Sequence, residues 1–269
     1  MPDRVGQGRR VRTYPAGNRY AERGRPAGFS LVEVLVVIAI ISILLALLMP
    51  AMSSCRRAAQ NLKCASQLRS VTIEFRFFAD DFAARRGESE AFGEKLFKLE
   101  DFLDSMYRTD EFWDQPTLTP VEYTAGREVM MCPASAGTLS RRPLVPCDSG
   151  GVSPRANVSV ALNMRLARAT DLIDDQPVFK PKLVASNILD HPAIPLALDV
   201  DGRAADLAGQ SALMTAPPVD SPDHYKSGDF WFPAYRHAGR VNVALIDGSV
   251  HGTANPLAES GWDWAYQPK

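Results

Sequence analysis

The sequence lacks an excess of charge of either sign, because 30 lysines and arginines face 31 aspartates and glutamates, for a formal net charge of -1. With 46% hydrophobic residues, its composition indicates neither a disordered chain nor a generally basic nucleic-acid surface. The 269 residues leave room for one domain and an additional element. We therefore expect no nucleic-acid partner.

Local patterns of common catalytic sites are also lacking. The sequence contains no glycine-rich phosphate loop, no nucleophile elbow, no His-Glu-x-x-His pattern and no clustered zinc ligands, and it has only four cysteines and four histidines. A membrane-anchored hydrolase is therefore disfavoured, and we expect the chain not to be an enzyme.

Basic residues are instead concentrated at the N-terminus, where seven arginines face only Asp3 and Glu22 in the first 25 residues. An apolar run follows at residues 31–49, interrupted by one charge, Glu33. As a helix this run would be about 28 Å long, enough to cross the hydrocarbon core of a bilayer. The positive-inside rule then predicts a cytoplasmic N-terminus, with everything after Pro50 outside the cytoplasm.

The apolar run has two other interpretations. A core helix of a soluble protein rarely runs so long without polar residues. A secretory signal peptide has the same basic front, but its apolar region is usually ~7–15 residues, and residues 49–54 offer only a poor small-x-small cleavage site. We therefore predict a transmembrane helix over residues 29–50.

The segment from Gly28 through Phe29, Ser30 and Glu33 into the apolar helix resembles the N-terminal signature of type IV prepilins and of type II secretion pseudopilins. The resemblance implies that a prepilin peptidase and N-methyltransferase removes residues 1–28 by cleaving after Gly28 and methylates Phe29. It also implies a place in the bacterial cytoplasmic membrane, with membrane lipid and other pilin or pseudopilin subunits as partners. The leader is longer than those common in the family.

Glu33 matches the glutamate of that family, and Pro50 matches its helix-kinking proline. An ionised carboxylate one turn inside a bilayer costs a few kcal/mol unless it is paired. We predict that Glu33 pairs with the new amine of Phe29 on an adjacent subunit, so that assembly depends on cleavage. The other interpretation is that Glu33 extends toward the lipid headgroups.

Beyond Pro50 the sequence predicts that the helix continues, as an amphipathic segment over residues 51–82. Apolar or small residues recur three or four apart, and this stripe is expected to pack on a globular domain at residues 83–269. Its members are Met52, Cys55, Ala59, Leu62, Ala65, Leu68, Thr72, Phe75 and Phe78. Pro50 should kink the helix between the two segments.

The globular part is predicted to hold one or two helices within residues 92–106 and then mostly strands. Strand-like segments occur at residues 129–131, 158–162, 194–198, 241–246 and 249–251. The predicted fold class is α+β, a long N-terminal helix packed on a C-terminal antiparallel sheet, as in pilins.

His237 precedes Asp247 and Gly248 in a segment that resembles the H-x9-D-G pattern of a C-terminal domain found with prepilin-type N-termini. Asp247 and Gly248 predict a tight hairpin turn. A catalytic pair of His237 and Asp247 is excluded, because six extended residues between them span about 20 Å. We expect a carboxylate or carbonyl at the sheet end, such as Asp199, to hold His237; ligand binding by His237 is the alternative.

Two further sites were considered in the globular part. Asp199 and Asp201 have the carboxylate spacing of a calcium loop, and the resemblance to major pseudopilins implies that calcium could bind, although no glutamate completes an EF-hand. The alternative is a plain Asp-Gly turn, and no other cofactor is expected. Cys132 and Cys147 flank a proline-containing loop outside the cytoplasm and could form a disulfide, with free buried thiols as the alternative.

Cys55 and Cys64 lie about 13 Å apart along one predicted helix, beyond disulfide reach. Taken together, the sequence predicts a structural subunit, a pseudopilin or minor pilin that assembles into a filament. The alternative is a membrane-tethered periplasmic module that binds a ligand or a metal.

Overall fold

The computed structural model of the chain describes residues 28, 30–85, 96–107, 122–124, 130–135, 137–141, 152–173, 176–219, 225 and 228–268. The leader up to residue 27, Phe29 and Cys147 lie outside the described residues. The chain divides into two compact units, Met1–Pro50 and Ala51–Lys269.

Three α-helices and twelve strands make up the regular structure of the described residues. The helices are α1 Leu31–Arg85, α2 Leu99–Tyr107 and α3 Gly202–Leu207. The strands are β1 Leu96–Phe97, β2 Glu122–Thr124, β3 Thr138–Arg141, β4 Val152–Ser153, β5 Val160–Asn163, β6 Arg168–Ile173, β7 Gln176–Pro181, β8 Val184–Ala185, β9 Pro195–Asp199, β10 Met214–Thr215, β11 Val241–Leu245 and β12 Val250–Thr253.

The first unit contains the N-terminal part of α1. The helix is 55 residues long with Pro50 inside it, and every side chain from residue 31 to residue 50 is exposed. Within the described part of the chain, α1 is the one helix long and apolar enough to cross a membrane. An apolar surface of this extent is unfavourable in water, so this segment requires an apolar medium.

In the second unit, α1 buries one face in the core of the domain. The buried side chains are Cys64, Leu68, Val71, Thr72, Phe75 and Ala79. Part of the predicted stripe was wrong, because Met52, Cys55, Ala59 and Leu62 are exposed. Residues mostly three apart fall behind a turn of 3.6 residues, so the predicted stripe winds around the helix. The buried residues Cys64, Leu68, Val71, Phe75 and Ala79 are instead four, three, four and four apart and stay on one face, with Thr72 beside Val71.

A five-stranded sheet forms the centre of the second unit, in the order β10-β5-β9-β11-β12. All neighbours are antiparallel except β10 and β5, which run parallel. The α+β class, with a long apolar helix followed by a C-terminal sheet domain, is therefore confirmed. The prediction of a strand at residues 129–131 was wrong, because Met130 and Met131 lie in a turn that leads into Cys132.

Both faces of β11 are covered, which explains why all five of its residues are buried. Val241, Val243 and Leu245 pack with Trp264 on one face. Ala244 contributes to the core on the other face, which also contains Leu68 of α1. Successive residues of β11 therefore face opposite sides of the sheet, and neither side is open to water.

Four phenylalanines join α1 to α2 and to β1. Phe75 and Phe78 of α1 contact Phe97 and Phe102, with ring centroids 5.3–5.8 Å apart in edge-to-face geometry. Such pairs stabilise beyond the area they bury. This part of α1 therefore forms one side of the domain core.

We expect Phe75→Ala to lower the free energy of unfolding of the domain by about 3–5 kcal/mol, because Phe75 is fully buried and its removal leaves a cavity. Phe77→Ala is the matched control on the same helix, since Phe77 is 70% exposed, and should change stability by less than about 0.5 kcal/mol. Urea unfolding of the full chain in detergent, followed by tryptophan fluorescence, measures both. Equal losses in the two variants would contradict this packing.

Candidate functional site

At the N-terminus of α1, the side chains of Ser30 and Glu33 cap the first turn. The backbone N–H of Ser30 donates to Glu33 Oε2 at 2.8 Å, and that of Val32 donates to Ser30 Oγ at 3.3 Å. The bond to Glu33 is that of a capping box, while the Ser30 hydroxyl accepts from the second rather than the third helical N–H, and the helix begins at Leu31, three residues after the exposed Gly28. The Ser-x-x-Glu spacing was present in the sequence, but Glu33 was interpreted there only as an assembly residue.

The H-x9-D-G segment begins with a tight turn at His237. His237 and Arg240 exchange two backbone hydrogen bonds, of 3.3 and 3.1 Å, around Ala238 and Gly239. Both central residues have positive φ, 54° for Ala238 and 75° for Gly239. This pattern suits a two-residue hairpin loop, but it is strained for alanine. The turn places the His237 side chain beside the start of β11.

The other end of β11 contains the predicted Asp247-Gly248 turn, which the structure confirms. Gly248 has φ 89°, and the Ser249 N–H donates to Asp247 Oδ1 at 2.8 Å. A Cβ on Gly248 would lie 3.7 Å from Thr72 Oγ1, and Arg76 Nη1 donates to the Asp247 carbonyl at 3.5 Å. His237 and the Asp247-Gly248 turn therefore lie at opposite ends of β11, and the turn contacts α1.

Four buried side chains converge between α1 and the sheet: Cys64, Cys132, Asp199 and His237. Their ligand atoms all lie within 4.8 Å of one another. Cys64 Sγ donates to Asp199 Oδ1 at 2.9 Å, Cys132 Sγ lies 3.3 Å from His237 Nε2, and His237 Nε2 lies 3.4 Å from Asp199 Oδ2. His237 is 7% exposed, and the other three have no exposed surface.

Each of the four is positioned by a different element. Cys64 lies on the buried face of α1, and Asp199 is the last residue of β9. His237 precedes β11 in the turn described above. Cys132 begins a turn in which the Ser135 N–H donates to the Cys132 carbonyl at 2.9 Å, and the Ala134 N–H donates to Cys132 Sγ at 3.4 Å.

The cluster does not have the geometry of a catalytic triad. In a triad, the carboxylate and the nucleophile bind opposite nitrogens of the imidazole. Here Cys132 Sγ and Asp199 Oδ2 both approach the same nitrogen, Nε2 of His237. Cys132 also has no exposed surface. These atoms converge on one point, as metal ligands do.

The proximity of the four groups changes their protonation. The pKa of Cys132 is lowered by its hydrogen bonds with Cys64 and with His237, which stabilise the thiolate, while the hydrogen bond with Cys132 and burial raise the pKa of Cys64. Burial raises the pKa of Asp199 to about 6. The hydrogen bond to Cys132 raises the pKa of His237. The shifts of Cys132 and His237 favour a thiolate beside an imidazolium, a pair whose charges offset each other in the buried site.

The contact between His237 and Asp199 is the one predicted from the sequence. Asp201, the other calcium candidate, is not in the converging group, and its Oδ1 instead accepts the N–H groups of Arg203 and Ala204 as the N-cap of α3. Thiol and imidazole groups beside Asp199 favour a softer metal than calcium.

The disulfide between Cys132 and Cys147 stays a prediction, because Cys147 lies outside the described residues. Cys55, Cys64 and Cys132 are free thiols in the structure. The absence of a Cys55–Cys64 bridge agrees with the spacing argument.

The sequence did not reveal this cluster, although it singled out every member separately. Cys64 and Asp199 are 135 residues apart, and Cys132 and His237 are 105 apart. Metal-site patterns rely on ligands a few residues apart, and such spacing is absent here. The available signal in the sequence was a thiol on one face of a predicted helix, together with three polar groups next to the ends of predicted strands. These groups would meet only if that helix face covered the end of the sheet at which they lie.

A comparison with protein families identifies one feature. The family model of the prokaryotic N-terminal methylation motif matches residues 23–49. No curated protein and no solved structure matches the chain. The matched motif, together with a helix able to cross a membrane, supports a prepilin- or pseudopilin-like protein.

We expect Ala238→Gly to stabilise the domain by about 0.5–1 kcal/mol, because glycine adopts the positive φ of this turn without the steric cost of a Cβ. Ala258→Gly should instead destabilise it by a similar amount, since Ala258 is exposed and has no positive φ. Thermal unfolding of the full chain in detergent distinguishes the two signs. A loss of stability in Ala238→Gly would contradict the turn geometry.

Proposed function

We propose that the chain is a structural subunit which, after cleavage and N-methylation, assembles into a type II secretion-like or type IV pilus-like filament. The observation that carries the proposal is the methylation motif at residues 23–49. The motif runs into α1, in which every side chain from residue 31 to residue 50 is exposed. Cleavage after Gly28 would remove the arginine-rich leader and leave the apolar segment at the new N-terminus.

A second observation supports assembly with like subunits. Leu62, Ile73 and Phe77 of α1 are 71%, 41% and 70% exposed. They are separated by 11 and four residues, three turns and one turn, so they share the helix face that points away from the domain core. Exposed Ser66 and Arg69 lie between Leu62 and Ile73 on this face, so the three apolar side chains are separate contacts rather than one patch, and a second copy of the chain would cover them in a filament.

The role of Glu33 in this proposal follows from its position in the capping box. Its carboxylate is held at the first turn of α1, bonded to the N–H of Ser30. The amine of Phe29, which only cleavage creates, adjoins Ser30 in the chain. A positive amine on the neighbouring subunit would neutralise the carboxylate in lipid, where an unpaired charge costs a few kcal/mol.

Processing is the first expected outcome. Intact-mass analysis of the chain from native membranes should show an N-terminus at methylated Phe29. Gly28→Leu should retain the leader, because cleavage requires a small residue that can enter the peptidase in an extended form. Gly24→Leu is the control within the leader and should be processed normally. A mature chain that begins near Ser53 would instead indicate a secretory signal peptide.

Assembly is the second expected outcome, and two substitutions at Glu33 separate charge from capping. Glu33→Gln keeps an oxygen that can accept the Ser30 N–H but removes the charge, whereas Glu33→Val removes both. Both variants should insert in the membrane and lose self-association. The measurement is photocrosslinking in cells from a reactive residue at position 62.

The crosslinking control is the same reactive residue at Leu207 of α3, which is 81% exposed and lies outside the apolar face. It should give no ladder of self-products. If Glu33→Gln assembles as the unsubstituted chain does while Glu33→Val does not, Glu33 acts as a helix cap and the pairing with Phe29 is wrong.

A further inference from the structure

The four side chains Cys64, Cys132, Asp199 and His237 form a complete ligand set for a tetrahedral ion. Two thiols, one imidazole and one carboxylate are all groups that bind zinc, at bond lengths of about 2.0–2.3 Å. Tetrahedral geometry with these bonds separates the ligand atoms by roughly 3.3–3.8 Å. The observed separations of 3.3 Å from Cys132 Sγ to His237 Nε2 and 3.4 Å from His237 Nε2 to Asp199 Oδ2 fall in this range. The 2.9 Å between Cys64 Sγ and Asp199 Oδ1 is a hydrogen-bond distance, and it would lengthen by roughly 0.4 Å or more when an ion replaces the thiol proton.

The backbone around the cluster supports the ligand atoms, as it does in metal sites. The Ala134 N–H donates to Cys132 Sγ at 3.4 Å, which favours the thiolate. The Asn242 N–H donates to Asp199 Oδ2 at 3.1 Å and leaves Oδ1 directed at Cys64. Both donors are fixed by secondary structure or by a turn, so the ligand atoms are oriented in advance.

Charge around the site is also consistent with an ion. Two thiolates and one carboxylate with a divalent cation carry a net charge of -1. The guanidinium of Arg236, next to His237, donates to the carbonyl oxygens of Ser159 and Val200, and Val200 directly follows Asp199. A positive group held beside the cluster offsets that charge.

We propose that Cys64, Cys132, Asp199 and His237 bind one zinc ion, or a divalent ion with the same tetrahedral preference, and that this ion fixes α1 to the sheet domain. All four positions are supplied by the chain, so no position stays open for water or substrate, and the ion is structural. It joins points as far apart in sequence as Cys64 and His237, which are separated by 173 residues, and closing such long loops stabilises a fold. This inference goes beyond the proposed filament function and does not depend on N-terminal processing.

The test uses the full chain purified in detergent from its native membrane. Elemental analysis should give about one zinc per chain. X-ray absorption at the zinc edge should show two sulfur neighbours at about 2.3 Å and two lighter neighbours at about 2.0 Å. This measurement needs no substitution, so it holds even if a variant fails to fold. Zinc bound by oxygen and nitrogen alone, or no zinc at saturation, would overturn the proposal.

Matched substitutions assign the ligands. Cys64→Ser and Cys132→Ser should each weaken zinc binding at least about 100-fold, whereas Cys55→Ser, on the same helix but exposed, should leave it unchanged. His251→Gln is the exposed control for His237→Gln, and Asp201→Asn is the exposed control for Asp199→Asn. Binding that survives in Cys64→Ser would overturn the ligand assignment.

Thiol chemistry supplies one more outcome. Mass analysis and peptide mapping without reductant separate a zinc site, in which Cys64 and Cys132 stay reduced, from a disulfide that joins Cys132 to Cys64 or to Cys147. Either disulfide lowers the mass by two hydrogens, and finding either in the native chain would overturn the proposal, because an oxidised sulfur cannot ligate the ion. Chelator should lower the melting temperature of the unsubstituted chain and of Cys55→Ser, and zinc should restore it.

Discussion

The contact between Cys64 and Asp199 is the constraint on which the domain depends, because it joins α1 to the end of the central strand β9 inside the core. Around it, α1 contributes Leu68, Val71 and Phe75 to the main apolar cluster. A helix that only anchored the domain would need no such surface. In this chain the helix that begins with a segment long and apolar enough to cross a membrane is also a part of the core, so the domain cannot form its interior without α1.

Burial of charge explains much of the local architecture around that contact. Asp199 has no exposed surface, and an isolated carboxylate there would be strongly disfavoured. The chain surrounds it with Cys64, the Asn242 N–H and His237, and places the strained turn at Ala238 next to the histidine. Strain of this kind persists where the surroundings require one position of a side chain. The nine residues between His237 and Asp247 then contain β11, with the contacts of His237 at one end of the strand and the contacts of the Asp247-Gly248 turn with α1 at the other.

Local patterns predicted much of the fold, and the site was predicted only in pieces. The apolar run, the Asp247-Gly248 turn and the alternation in β11 are each encoded within a few residues, so α1 and the hairpin could be read correctly. The face of α1 that packs on the sheet was partly wrong, because Met52 and Leu62 satisfy a spacing rule as well as Leu68 does, and only tertiary contact distinguishes them. The pairing of His237 with Asp199 was foreseen from strand ends, but adding Cys64 required knowing which helix face covers them.

The strongest argument that the cluster binds a metal ion comes from the expected location of the domain outside the cytoplasm. Two thiols whose sulfur atoms lie within 4.8 Å of each other would there be prone to form a disulfide. A disulfide would use only Cys64 and Cys132, and would leave Asp199 and His237 buried with fewer partners for their charge. A divalent ion uses all four groups at once, keeps both thiolates from oxidation and neutralises the carboxylate. The presence of the carboxylate and the imidazole at this point therefore favours coordination over oxidation as the reason these residues meet.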